Sequence, residues 1–310
     1  MKTKNIITLA TFALFALSAA SCKKNNAGSN ENTNESSIHS SDQSLTANGS
    51  DEFDTDASLA TENVLAMSGN GPQGFFNPPC NADITYDTAN ANKKITITYH
   101  GLNCIGTLNR TGIVTMSLPA GAQWKNPGAQ LTVTYSALKI TRIVDNKSIT
   151  VNGSRVITNV SGGLLRNLAT LGTITHTVSS SSMSITFDDG TQRTWQVAKK
   201  RVFTYNNGIV ITTSGNYNDG TYNNISEWGT NRFGNSFVTT IEQPMVIRQD
   251  CNFRLTAGAV KHYKMLRTVS VNFGLDATGN PTSCPGANPY YMKIVWTNAA
   301  GTSVSAILPY

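Results

Sequence analysis

The sequence predicts an all-β fold: a large antiparallel meander, built as a curved sheet, a sandwich or a partly closed barrel, with a possible internal pseudo-repeat. Three observations carry this reading. From about Val64 onward, short runs rich in Val, Ile and Thr alternate apolar and polar residues at period two, and Gly, Asn and Asp separate them. Charged residues make up only 14% of the 310-residue chain, while Ser, Thr, Asn and Gly are abundant. Only Gly162–Leu171 (GGLLRNLATL) reads as a helical turn or two.

In chain order, residues 1–21 come first. Lys2 and Lys4 form a positive n-region, and Ile6 to Ala20 is mostly apolar. Small residues lead up to Cys22. This is the layout of a secretory signal, short for a membrane-spanning helix. A cysteine directly after the small residues resembles the lipobox of bacterial lipoproteins. That resemblance implies that Cys22 is diacylated, the signal removed and the new amino terminus acylated. Three acyl chains give near-permanent anchoring. In Bacteroidota-type envelopes, lipoproteins bound for the cell surface often carry an acidic signal just after the cysteine. Here Lys23 and Lys24 follow it and the first acid is Glu31, which favours the periplasmic face of the outer membrane over the cell surface.

Residues 22–62 hold the lipidated cysteine and a segment rich in Asn, Ser, Thr, Asp and Glu. With almost no apolar periodicity, it is expected to be a disordered tether with a reach of about 35 Å. His39 lies in it and needs no functional reading. Charge is divided unevenly. Residues 23–62 carry two lysines against eight acids, whereas 63–310 carry twenty Lys and Arg against ten acids. A basic domain behind an acidic tether suits an anionic glycan or lipopolysaccharide; a solvated basic β-surface is the plainer reading. No nucleic acid partner is expected.

Residues 63–310 are expected to form one β-rich domain. Its predicted strands are 82–86, 94–99, 112–118, 129–138, 148–159, 173–178, 182–187, 192–204, 209–214, 236–241, 245–248, 254–260, 267–273, 291–297 and 303–308. In the hairpin around Asp188-Asp189-Gly190, a two-residue turn would put its two apolar rows on opposite faces. A three-residue loop with a left-handed Gly190 pairs Ile185 with Arg193 and Met183 with Trp195, so a bulged turn is predicted.

Cys80 precedes one strand and Cys104 ends the next; Cys251 and Cys284 flank another strand pair in the same way. In an antiparallel hairpin the start of strand one lies beside the end of strand two. This places Cys80 with Cys104 and Cys251 with Cys284. Free buried thiols, or a Cys80–Cys284 staple, are the alternatives. The two Cys-flanked units look alike, and Gly106–Gly112 (GTLNRTG) echoes Gly229–Gly234 (GTNRFG), hinting at duplication.

The order of the segments ITITYHGLNC, NRTGIVTMS, GAQLTVTYSALKI, ITVNGSRVITNV, FVTTIEQPMVIRQDC and RTVSVNFG resembles Bacteroidota-type lipoproteins of unknown function over about residues 80–300. In that group a tight turn usually precedes the last cysteine. Here a longer, Pro-containing loop follows Asn272-Phe273-Gly274. The resemblance implies an address and a fold, and neither an activity nor a ligand.

Catalytic and metal signals are sparse. His100, His176 and His262 are isolated, no CxxC pair occurs, and GxSxG and HExxH are missing from the sequence. No cofactor, metal or catalytic residue is assigned. His176 shares strand parity with Ile174 and Val178 and reads as a core histidine. Asp188 and Asp189 are explained by turn chemistry. Asn216–Asn224 (NYNDGTYNN) reads as a polar loop without calcium-ligand spacing. Asp87-Thr88-Ala89 matches a short O-glycosylation sequon. Trp195, Lys199 and Arg201, with Lys200 and Tyr205 nearby, are candidate ligand contacts, although alternation divides the cluster between two faces. The expected function is non-enzymatic: binding of glycan, lipid or an envelope protein, or a structural role. A periplasmic carrier sheltering an acyl chain is the main rival, and it requires an apolar cavity. A spatially assembled hydrolytic site would need His176 or His100 in a cleft beside a carboxylate or hydroxyl.

Overall fold

A computed structural model describes residues 27–63, 78–87, 92–264, 267–284, 286, 288–298 and 300–310. The expected signal segment, Cys22 and the Thr88-Ala89 part of the expected sequon lie outside the described residues. One helix, α1 (Ala27–Asn63), precedes fourteen strands. These are β1 (Ala82–Asp87), β2 (Lys93–Leu102), β3 (Leu108–Leu118), β4 (Ala129–Arg142), β5 (Ser148–Asn159), β6 (Thr173–Phe187) and β7 (Gln192–Tyr205). There follow β8 (Ile209–Gly215), β9 (Ile225–Thr230), β10 (Ser236–Arg248), β11 (Arg254–Lys264), β12 (Arg267–Leu275), β13 (Tyr291–Thr297) and β14 (Ser303–Pro309). All belong to one antiparallel sheet that runs in sequence order, except that β8 pairs with β10 and β9 bridges β7 and β10.

The bulged hairpin forms as predicted. Ile185 pairs with Arg193 and Met183 with Trp195, and Gly190 is left-handed at φ 80°. Both predicted disulfides are present, Cys80–Cys104 across the β1–β2 hairpin and Cys251–Cys284 beside β11–β12. The helical turn falls at Leu165–Leu171. Two pairs of predicted strands merge. A bulge between Ser180 and Met183 keeps β6 continuous, and irregularities between Ile241 and Val246 carry β10 past Pro244. A bulge tolerates the missing proline N–H that would otherwise end a strand. Strand β9 has no predicted counterpart, because ISEWGT barely alternates.

The expected disordered tether is the largest correction. Ala27–Asn63 is a 37-residue helix packed on the sheet. Its few apolar side chains, Leu45, Phe53, Ala57 and Ala60, join the main core with residues from β2 to β7. Its polar residues are buried too, because Glu35, Asp42, Glu52, Asp54 and Asp56 each find a cation on the sheet or its turns. A helix that is polar all round is stable when such contacts satisfy it. His39, read as a tether residue, is buried 5.1 Å from the Phe237 ring and 5.9 Å from His262.

Candidate functional site: the arginine-lined trough and its side cavity

Strand alternation builds the trough. On β7, Arg193, Trp195, Val197, Lys199, Arg201 and Phe203 all lie on the inward row, while Lys200 points out. Arg110 on β3 and Arg155 on β5 take inward positions in the same way. Each of these guanidiniums lies near an aromatic ring: Arg110 is 4.7 Å from Tyr99, Arg155 4.8 Å from Tyr135, Arg193 5.0 Å from Phe237 and Arg201 5.4 Å from Phe203. Desolvated cation–π contacts of this kind help offset the cost of burying charge.

The carboxylates of α1 complete the trough. Asp54 accepts from Arg155 at 2.8 Å, with both side chains inaccessible to solvent. Glu52 and Asp56 converge on Arg110 Nη1 at 2.7 and 3.2 Å, and Thr55 accepts from Arg201 at 2.8 Å. Residues turn by about 100° per step, so Asp54, Thr55 and the Glu52–Asp56 pair look out in three directions. Strands β5, β7 and β3 meet them, and the sheet therefore wraps the helix. Further along, Asp42 takes a bidentate bond from Arg232 at 2.7 Å through both oxygens. Glu35 pairs with Lys264, and Gln43 bridges Arg193 and Glu227.

Trp195, Lys199 and Arg201 are therefore internal, not exposed ligand contacts. Lys199 Nζ lies 3.0 Å from Glu227, Trp195 Nε1 donates to the same carboxylate at 3.1 Å, and Arg201 meets α1. Lys199 and Arg201 share a face, since alternation removes only Lys200 from the cluster. The inward parity of Arg110, Arg155 and Arg193 within otherwise apolar rows was the available sequence signal. Tyr205 is exposed at the far end of β7.

A cavity of about 890 Å³ lies beside the trough. Leu45 and Leu59 of α1, Ile143 and Val144 of the β4–β5 turn, and Ile247 and Leu255 of β10 and β11 supply apolar walls. Glu52, Asp56 and Arg110 face it as a cluster, and Arg142, Gln249, Asn252 and Arg254 add further polar lining. Arg110 Nη2 also donates to the Cys80 carbonyl at 2.9 Å, and Asn103, next to Cys104, donates to Glu52 at 3.3 Å. The first disulfide thus braces the cluster. Burial, then the Glu52 charge, pushes Asp56 up to about 7, against Arg110 and a 2.9 Å hydrogen bond from Tyr99. Glu52 is also raised, chiefly by burial.

The remaining candidates are quickly placed. His176 is buried between Trp124 and Phe203, and burial drives it down to about 3. His100 lies 3.6 Å from Asp83 on an open strand surface, away from the cavity. His262 bonds Thr239 at 2.8 Å and is lowered by burial to about 4. Asp189 accepts from the Thr191 amide at 2.9 Å, as a turn residue should, and also meets Arg232. Asp219, in the NYNDGTYNN loop, accepts from the amides of Thr221 and Tyr222. Asp250, Cys251 and Cys284 lie close enough for a metal, but the two sulfurs are bonded to each other. No family model, curated protein or solved structure matches the chain.

Proposed function

We propose that the protein is a lipid-anchored envelope protein with a non-enzymatic binding role, and that its ligand is an acyl-chain amphiphile held in the side cavity. The anchor reading rests on the sequence around Cys22. The ligand reading rests on one observation: a cavity of about 890 Å³ that combines apolar walls with convergent polar groups, Glu52, Asp56 and Arg110 on one side and Arg142, Gln249 and Arg254 elsewhere on its lining. That volume falls within the range typical of small-molecule sites, and such sites combine apolar lining with a few convergent polar groups. The apolar walls take the chain, and Glu52, Asp56 and Arg110 hydrogen-bond the head. The anionic-glycan reading loses support, because many of the domain's cations are already paired with α1.

The test is titration of a dansyl-labelled undecanoate into mature chain carrying Cys22→Ser, which removes competition from the protein's own acyl groups. Saturable binding is expected. Ile105→Trp, on an exposed turn at the cavity, is expected to weaken it about tenfold. No saturable binding, or binding indifferent to Ile105→Trp and Leu255→Trp, would remove the ligand reading.

A further inference from the structure

We infer that the collar of turns around the N-terminal half of α1 is the face the domain presents to the membrane; this rests on the lipid anchor at Cys22. The geometry comes from the helix. Ser41 meets Arg142 and Lys147 at the β4–β5 turn, at 2.9 and 3.3 Å. The next residue, Asp42, meets Arg232 at the β9–β10 turn. One helical span earlier, Glu35 meets Asn231 and Asn235 of that turn and Lys264 at the end of β11. These turns all lie at one end of the strands. The other end of α1 packs elsewhere: Leu59 joins the cluster of Leu165, Ile209 and Ile247, at the opposite strand ends.

The anchor therefore has little freedom. Cys22 precedes Ala27 by five residues, a covalent reach of about 17 Å at most. Ala27 to Glu35 adds about 12 Å of helix. The collar thus lies within about 30 Å of the acylated residue, and the far end of α1 a further 40 Å or so beyond it. A disordered 40-residue tether would have left the domain's orientation undetermined; the docked helix fixes it.

The collar also carries exposed apolar side chains: Val144 is 71% exposed, and Ile143 and Phe233 are each 45% exposed, with Lys264 Nζ 5.8 Å from the Phe233 ring. The opposite strand ends expose Leu171 and Tyr205 to a similar degree, so the helix geometry carries the orientation. Apolar groups beside a lipid anchor add to interfacial binding. Ile143 and Val144 also line the cavity. A collar facing the bilayer sets that wall of the cavity against the lipids.

The experiment uses the acylated mature chain on phosphatidylethanolamine–phosphatidylglycerol vesicles containing a headgroup-nitroxide lipid. Val144→Cys, Phe233→Cys and Tyr205→Cys each add one free thiol at an exposed position and carry an environment-sensitive fluorophore; Tyr205 lies at the opposite strand ends. Quenching at 144 and 233 is expected to exceed that at 205 about threefold, because interfacial contact reaches only about 5–10 Å into the membrane. The mass of the N-terminal peptide tests the anchor separately. An acylated chain with equal quenching at all three sites, or strongest quenching at 205, overturns the orientation and leaves the anchor standing. A chain without acyl groups overturns both.

Discussion

Two parts of one sheet bury their inner faces in opposite ways. Strands β10 to β13 close over Ile241, Met245, Val260, Val271, Phe273 and Ile294, an apolar cluster of the ordinary kind. Strands β3 to β7 use the same alternation but place Arg110, Arg155, Arg193 and Arg201 on the inward row, and fill the space with an acidic helix. Apolar burial stabilises without regard to direction. An ion-paired interior gains little net stability, since desolvation offsets attraction, yet it strongly penalises any arrangement that leaves a charge unpaired. The first part therefore holds the sheet together, and the second specifies where and in what register α1 lies.

The largest expected effect breaks one pair in the second part. Asp54→Ala leaves Arg155 buried with its nearest charge gone and is expected to cost about 3–5 kcal/mol in urea unfolding. Asp54→Leu with Arg155→Met removes both charges and is expected to recover most of that loss. In the apolar part, Ile294→Ala is expected to cost about 2–5 kcal/mol by cavity formation, with no partner substitution able to restore it. If the double variant is as unstable as Asp54→Ala, the division between specifying and stabilising regions is wrong.

A smaller effect comes from protons. Glu62, at the buried end of α1, approaches the Leu165 and Arg166 amides, and burial nonetheless pushes it up to about 7. A carboxyl whose folded pKa lies above its unfolded value binds a proton on folding. Its stabilising share is full below about 4.5 and is lost as pH rises through about 7. Asp56 acts in the same sense. The buried histidines act oppositely: neutral in the fold, they let the unfolded state gain protons as pH falls below about 6.5. Comparing Glu62→Gln with the parent cancels the histidine share. The variant is expected to lose less stability between pH 4.5 and pH 8, on the order of 2 kcal/mol, read as the difference in urea midpoints. Parallel pH profiles would show that Glu62 is ionised throughout.

Most of the sheet was legible because period-two alternation survives in each strand and the turns carry their own chemistry. Ile185 opposite Arg193 followed from register, and the two disulfide pairings from the places of the cysteines at the ends of hairpins. Breaks in the pattern misled, since Pro244 and the serines near Ser180 mark bulges inside strands, not strand ends. The helix was illegible for a different reason. Its sequence has no apolar stripe, and its burial depends on partners 50 to 230 residues away, such as Arg110 for Glu52 and Lys264 for Glu35. The charge contrast between 23–62 and 63–310 was the usable signal. It pointed to a partner for the basic domain, and that partner is the preceding segment of the same chain.

The smallest effect tests a place where α1 approaches the sheet by shape instead of charge. Gly49 is buried against β4, and a Cβ added there would lie 2.7 Å from Ile140 Cδ1. Alanine gains about 1 kcal/mol of helix propensity over glycine. The clash falls on the tip of an isoleucine, which can yield at a comparable cost. Gly49→Ala is therefore expected to change stability by less than about 0.5 kcal/mol, within the range of an ordinary surface substitution. Gly49→Leu demands room the backbone cannot give and is expected to cost about 1–3 kcal/mol. The comparison separates a docked helix from a free one: on an undocked segment, Gly49→Leu would raise helicity as Gly49→Ala does, and circular dichroism would show both variants gaining signal together.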